Sequence, residues 1–224
     1  MEKYQNINII YEDNHLLVVN KPANMPVCLD SSNDIDLLSK LKEYIKIKYN
    51  KPGNVYLGLV HRLDRPVEGI IVFAKTSKAA SRLSNQITNN KLKKTYYAVT
   101  ENNPPKEGTF TDYLIKDEKS NTSYVTNKTK GKKSILEFKL IAKKDNLNLI
   151  KINLLTGRHH QIRVQFSHHG YPLYGDHKYN KNFLNDNKTN IALIAKELSF
   201  YHPITKELLT FKIDLPNRYP YTLF

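Results

Sequence analysis

Short strand-type runs separated by turns dominate this sequence, and only three stretches carry helical spacing. Residues 7–11 (INIIY) and 15–20 (HLLVVN) flank Glu12-Asp13-Asn14 and predict a hairpin. Gly69 to Ala74 (GIIVFA) is a compact apolar run, and 95–100, 109–115, 134–142, 147–155, 191–200 and 208–214 read as further strands. Pro203 to Lys206 makes the turn between the last two. Ile35, Leu38, Leu41, Ile45 and Tyr49 repeat near helical spacing. Thr76 or Ser77 can cap a second helix, with Ala79, Ala80, Leu83 and Ile87 on one face. A third helix is predicted over 158–169, stopped by Gly170. Strands and helices do not alternate regularly. The expected class is therefore α+β, with a mostly antiparallel, mixed sheet flanked by a few helices. The polar stretch 100–132 reads as loops and short strands within the domain, with an insertion or linker as the alternative. No internal repeat or low-complexity linker divides residues 1–224, so one domain is expected.

Composition narrows the partners. The chain is 40% hydrophobic, enough for a sizeable core, and no stretch approaches the ~18 apolar residues of a membrane span. Cys28 stands alone, which excludes an internal disulfide and a cysteine zinc cluster. The opening MEKYQNINII has no long apolar run, so no signal peptide is expected and a reducing, cytoplasmic setting is the default. A formal charge of +14 favours a polyanionic partner, nucleic acid first. The two cation types are distributed differently. The 29 lysines are spread along the chain, whereas Arg62, Arg65, Arg158 and Arg163, four of only six arginines, fall in two short motifs.

Three constellations can carry chemistry. The first is His61-Arg62-Leu63-Asp64, on the loop before GIIVFA. A carboxylate on a loop that feeds a buried strand has a rigid base, and an ionised, oriented carboxylate is a workable nucleophile. A kinase catalytic loop is excluded, because it needs Asp directly after Arg and Asn five positions later, where this chain has Leu63 and Gly69. The second is Lys94 to Val99 (KTYYAV). The third is Thr156 to Val164 (TGRHHQIRV), followed by Gly170-Tyr171-Pro172-Leu173-Tyr174-Gly175-Asp176. On a helix Arg163 shares a face with Ile162 and Phe166 and points partly inward, where an arginine needs a carboxylate partner. Asp64 is the attractive candidate, and snorkelling to solvent is the alternative. His159, His160, His168, His169 and His177 match no zinc spacing, so no metal site is assigned. Cys28 has no basic neighbour in sequence and is not assigned as a nucleophile.

In this order the motifs resemble the RluA-type pseudouridine synthases. The resemblance covers nearly the whole chain: Tyr11 to Pro22 (YEDNHLLVVNKP), His61 to Asp64 with Gly69 to Lys75, Lys94 to Ala98, Thr156 to Val164, Gly170 to Asp176, and a final strand pair, Leu193 to Leu215. It implies the pseudouridine synthase fold, an RNA-binding cleft and isomerisation of uridine in ribosomal or transfer RNA. The N1 glycosidic bond breaks, the uracil turns, and C5 bonds to the ribose. No metal, nucleotide or other cofactor, no membrane and no obligatory protein partner are implied, and a monomer is expected. Asp64 matches the family's essential aspartate, the nucleophile. Tyr96 matches the tyrosine against the target base, and Arg163 the arginine paired to that aspartate. Ile162 matches an apolar pocket residue, and Arg62 a position that reaches into RNA where the base leaves the stack. Val67-Glu68 departs from the common Thr-Ser and adds a negative charge near Asp64. No separate small RNA-binding domain is expected ahead of the first motif. Two rival readings are an RNA N-glycosidase, which needs a second carboxylate such as Glu68, and a catalytically silent RNA-binding protein of the same fold.

Overall fold

A computed structural model of the chain describes every residue except Met1, Gln5, Asn6, Ser31 and Asn187, with Glu2 and Lys3 as backbone alone. In chain order the strands and α-helices are β1 (Glu2–Tyr4), β2 (Ile7–Glu12), β3 (Leu16–Lys21), α1 (Leu37–Lys48), β4 (Gly58–Leu59), β5 (Glu68–Ala74), α2 (Ser77–Thr88), β6 (Lys93–Glu101), β7 (Glu107–Asp117), β8 (Thr122–Thr126), β9 (Lys132–Lys144), β10 (Leu147–Leu154), α3 (Gln161–His168), β11 (Leu193–Tyr201) and β12 (Leu208–Lys212). The class is α+β, as the pattern predicts. The chain folds as two compact units, the first holding 1–93 and 195–213, the second 94–194 and 214–224.

In the first unit the hairpin β2–β3 forms where Asp13 accepts from the backbone N–H groups of His15 and Leu16, both at 2.7 Å. β3 lies antiparallel to β5 in unbroken register from Leu16–Ala74 to Lys21–Gly69. The strand order is β1-β2-β3-β5-β11, with β12 on β11 and β4 on β5. Leu16, Val18, Ile70, Val72 and Ala74 pack against Ala79 and Leu83 of α2, with Leu198 and Phe200 of β11. Thr76 is the cap of α2, its hydroxyl accepting from Ala79 N at 3.2 Å. Asp36 caps α1 in the same way at Ser39 N, 3.0 Å. α1 buries Leu37, Leu41, Tyr44 and Ile45. That face is rotated from the expected one: Ile35 precedes the cap and is exposed, because a polar cap decides where the helix starts more sharply than an apolar periodicity does.

The second unit is built on five antiparallel strands in the order β6-β10-β9-β7-β8. Strand β8 lies inside the stretch whose polarity hides it: of its five residues only Ser123 is buried. The third helix begins at Gln161, three residues later than the spacing predicts, because His160 takes a left-handed backbone (φ 52°). Gly170 (φ 86°) does end it: Tyr171 N donates to Phe166 O at 2.8 Å and Gly170 N to Ser167 O at 3.1 Å. This is the paired C-terminal closure that glycine makes without steric cost.

Candidate active site

The first unit holds Arg62 and Asp64 on the irregular segment between β4 and β5. Leu63 and Val67 are buried, Asp64 is partly buried and Arg62 is exposed. Asp64 O accepts from Val67 N at 3.0 Å, which closes a turn over Arg65-Pro66. His61 Nε2 accepts from Val72 N of β5 at 3.2 Å and ties the start of the motif to the strand. Its end is fixed by Gly69. At φ 127°, a Cβ there would lie 2.4 Å from Ala195 O of β11, so only glycine lets the two strands close.

Beneath this loop lies a buried cation that the sequence pattern does not single out. Lys21 is fully inaccessible, and its ammonium donates to three carbonyls: Pro22 at 2.9 Å, Met25 at 2.8 Å and Arg65 at 2.9 Å. The end of β3 is thereby bolted to the residue after Asp64. Burial pulls the Lys21 pKa down to about 7, against the opposing attraction of Asp64 and Glu68, while Arg65 adds to the lowering. Glu68 thus acts on the Lys21 charge from the first position of β5. The signal that could have found it is Lys21 itself, a lysine closing a strand whose other residues are all apolar or amide.

The second unit holds Tyr96 on β6 and Ile162 and Arg163 on α3, all three buried. Arg163 points inward as expected. Asp176 grips it bidentately, Nε to Oδ2 at 2.8 Å and Nη2 to Oδ1 at 2.7 Å. Asp176 is itself fully buried and also accepts from Lys178 N at 3.0 Å and Tyr179 N at 3.2 Å. Gly175 precedes it at φ 73°, and a Cβ there would meet Asn190 O at 2.4 Å. Asp176 is visible in the Gly-Asp pair of the third motif, but sequence distance gives no reason to join it to Arg163.

Helix α3 is seated by a chain of buried amides. Thr156 Oγ1 donates to Gln161 Oε1 at 2.8 Å, Gln161 Nε2 to Gln165 Oε1 at 2.9 Å, and Gln165 Nε2 to Asp112 at 2.7 Å. Tyr179 braces the same helix. Its ring lies under the Arg163 guanidinium (5.1 Å), and its hydroxyl accepts from Ser123 N and meets His160 Nδ1, each at 2.7 Å. Burial first, then the neighbouring Arg163, pushes the His160 pKa down to about 2, so the imidazole is neutral. His159 stacks on His160 at 3.8 Å and meets Ser123 Oγ at 2.9 Å. These histidines are framework groups. Among the described residues no His, Cys, Asp or Glu cluster is arranged to hold a metal, and no helix is long and apolar enough to cross a membrane.

Residues 15–168 match the family model for RNA pseudouridylate synthase. The chain belongs to that family. Relatives within it cover almost the whole chain. Ribosomal large subunit pseudouridine synthase C of Buchnera aphidicola is 35% identical over 92% of this chain and 67% of its own length. Ribosomal large subunit pseudouridine synthase D of Zymomonas mobilis is 31% identical over 94% and 70%. The tRNA pseudouridine synthase C of Vibrio parahaemolyticus is 30% identical over 94% and 91%. The fold agrees: the structure of human RNA pseudouridylate synthase domain containing 4 superposes with a TM-score of 0.79 at 22% identity, covering 94% of this chain and 89% of that one. Pseudouridine synthases are isomerases, so the class of reaction follows from the family, and the matched segment includes Asp64, Tyr96, Ile162 and Arg163.

Proposed function

We propose that this protein converts uridine to pseudouridine in a structured RNA, ribosomal or transfer. Asp64 acts as the nucleophile, Tyr96 lies against the flipped base, Ile162 lines its pocket, and Arg163 supplies the counter-charge to Asp64. Arg62 enters the RNA where the base has left. The observation that carries this reading is the held geometry of the two motifs. The Asp64 loop is anchored through the Arg65 carbonyl, and Arg163 is fixed by Asp176 on one edge. Groups held this firmly cost little to organise when the reaction begins.

The chemistry then follows in balance. The N1–C1′ bond breaks, the uracil rotates within an apolar pocket, C5 bonds to C1′, the C5 proton leaves, and N1 takes a proton. The target atoms are out of reach in a stacked helix, so the nucleotide must flip, at a cost of a few kcal/mol. Phosphate contacts from the abundant lysines offset that cost. Relatives named for ribosomal RNA and for transfer RNA support RNA of either kind as the substrate.

Release of tritium from unmodified ribosomal and transfer RNA transcripts labelled at uracil C5 tests this directly. Wild type is expected to release it, and Asp64→Asn to lose the activity by several orders of magnitude. Free uracil in place of isomerised uridine would mark an N-glycosidase, and no release from any transcript would sink the reading.

A further inference from the structure

Arg65 follows Asp64 directly and has no role in the chemistry above. Its backbone and its side chain are treated in opposite ways. The carbonyl is locked by Lys21, whereas the guanidinium reaches outward to the loop between β3 and α1. There Nη1 donates to Ser32 Oγ at 2.9 Å and lies 3.8 Å from Asp30 Oδ2, and Nη2 donates to Asp34. The three charged side chains are 41%, 41% and 53% exposed. Leu37 N donates to Pro26 O at 2.9 Å and Leu38 N to Val27 O at 3.0 Å. A shallow open groove runs beside this loop, and its lining includes Pro22, Pro26, Asp34, Ile35, Lys40 and Arg65. Ile35 is 68% exposed.

A hydroxyl and two carboxylates around an exposed guanidinium offer the kind of oxygen set that a phosphate diester offers. In a chain of formal charge +14, the arginine next to the nucleophile is held by two acids. Resting on the reading of the chain as an RNA-modifying enzyme, we infer that this groove receives the phosphate of a nucleotide flanking the target uridine. Arg65 and Lys40 are its cations, Ile35 and the prolines are its apolar wall, and Asp30 and Asp34 occupy Arg65 until RNA displaces them. The exchange is physically easy. An exposed ion pair is weakened by hydration and by salt, whereas an incoming phosphate matches the guanidinium fork and releases counterions. The acids thereby raise the threshold for RNA that cannot place a phosphate at Arg65.

Binding of a fluorescently labelled RNA stem–loop with a uridine in its loop, followed by anisotropy across a salt series, decides this. Arg65→Gln should weaken affinity and flatten the slope of log affinity against log salt by ~0.7, the share of one single-strand phosphate. Asp34→Asn should tighten binding several-fold, and that gain should vanish when combined with Arg65→Gln. Asp145→Asn, on the exposed β9–β10 turn, is the control for general surface charge. A gain that persists without Arg65, or that Asp145→Asn reproduces, overturns the proposal, as does an unchanged slope in Arg65→Gln. The binding cycle needs no turnover. A wild type that binds but releases no tritium refutes the isomerisation and leaves the groove to be judged by the cycle, while a wild type that binds no RNA refutes both.

Discussion

The Asp64 loop and helix α3 are both held rigid, but by opposite electrostatic means. Beneath the loop the Lys21 ammonium gathers three carbonyl dipoles and carries its charge into the interior on those bonds. On the helix a carboxylate, Asp176, grips one edge of Arg163 through two charge-assisted bonds and takes two backbone N–H groups besides. The first arrangement fixes backbone and leaves a titratable group in place. The second fixes a side chain from one edge of its guanidinium. A buried cation held by dipoles is sensitive to pH, and a buried bidentate pair is sensitive to the loss of either partner.

The two clamps should differ most in what their removal costs, and Asp176 stands first. Asp176→Ala leaves the Arg163 guanidinium without its buried bidentate acceptor and should cost ~3–5 kcal/mol in denaturant unfolding. A loss under about 1 kcal/mol would mean that the pair is hydrated and not a structural clamp. Lys21→Met comes next. It strips the donor from three carbonyls, at ~1–3 kcal/mol for each left unsatisfied, but it also removes the cost of burying the Lys21 charge, so the net loss should be smaller than at Asp176. Turnover and RNA affinity should both fall, because the Lys21 bonds hold Pro22 and Arg65 of the proposed phosphate groove as well as the loop carrying Asp64.

The pH dependence separates the two clamps. Below pH about 7 Lys21 is protonated folded and unfolded, and the native state bears the full cost of burying the charge. Between about 7 and the ordinary lysine value of 10.5 the unfolded chain holds more protons, so this group makes stability rise with pH. Wild type should therefore gain stability relative to Lys21→Met on going from neutral to alkaline pH, read from paired unfolding midpoints. A difference independent of pH would place the Lys21 pKa at its ordinary value. The smallest effect is expected at Tyr179→Phe, which keeps the ring under Arg163 and removes only the hydroxyl shared by Ser123 and His160, at ~1 kcal/mol.

Legibility in the sequence follows the range of the interaction. Strands β2, β3, β5, β6, β7, β9, β10, β11 and β12, and the cap of α2, are written locally, because alternation, turn residues and side-chain caps act within a few residues. Strand β8 is hidden because four of its five side chains face water or lie only partly covered. The start of α3 departs from the spacing because its first turn is set by Gln161, which accepts from Thr156 and from Arg158 N, and by the left-handed His160. Asp64, Tyr96, Ile162 and Arg163 stand out through the order of their motifs, since each motif keeps its residues together in sequence.

The chain's basic charge and its family can be read from its residues and their order. The partners that hold its cations come only with folding. Lys21 reaches Arg65 across 44 positions, and Arg163 finds Asp176 across 13. The Arg65 guanidinium meets Asp34 across 31. Charge and hydrogen-bonding capacity are properties of a residue type, but the worth of a buried charge depends on which dipoles and counter-charges surround it, and the folded chain alone brings those together.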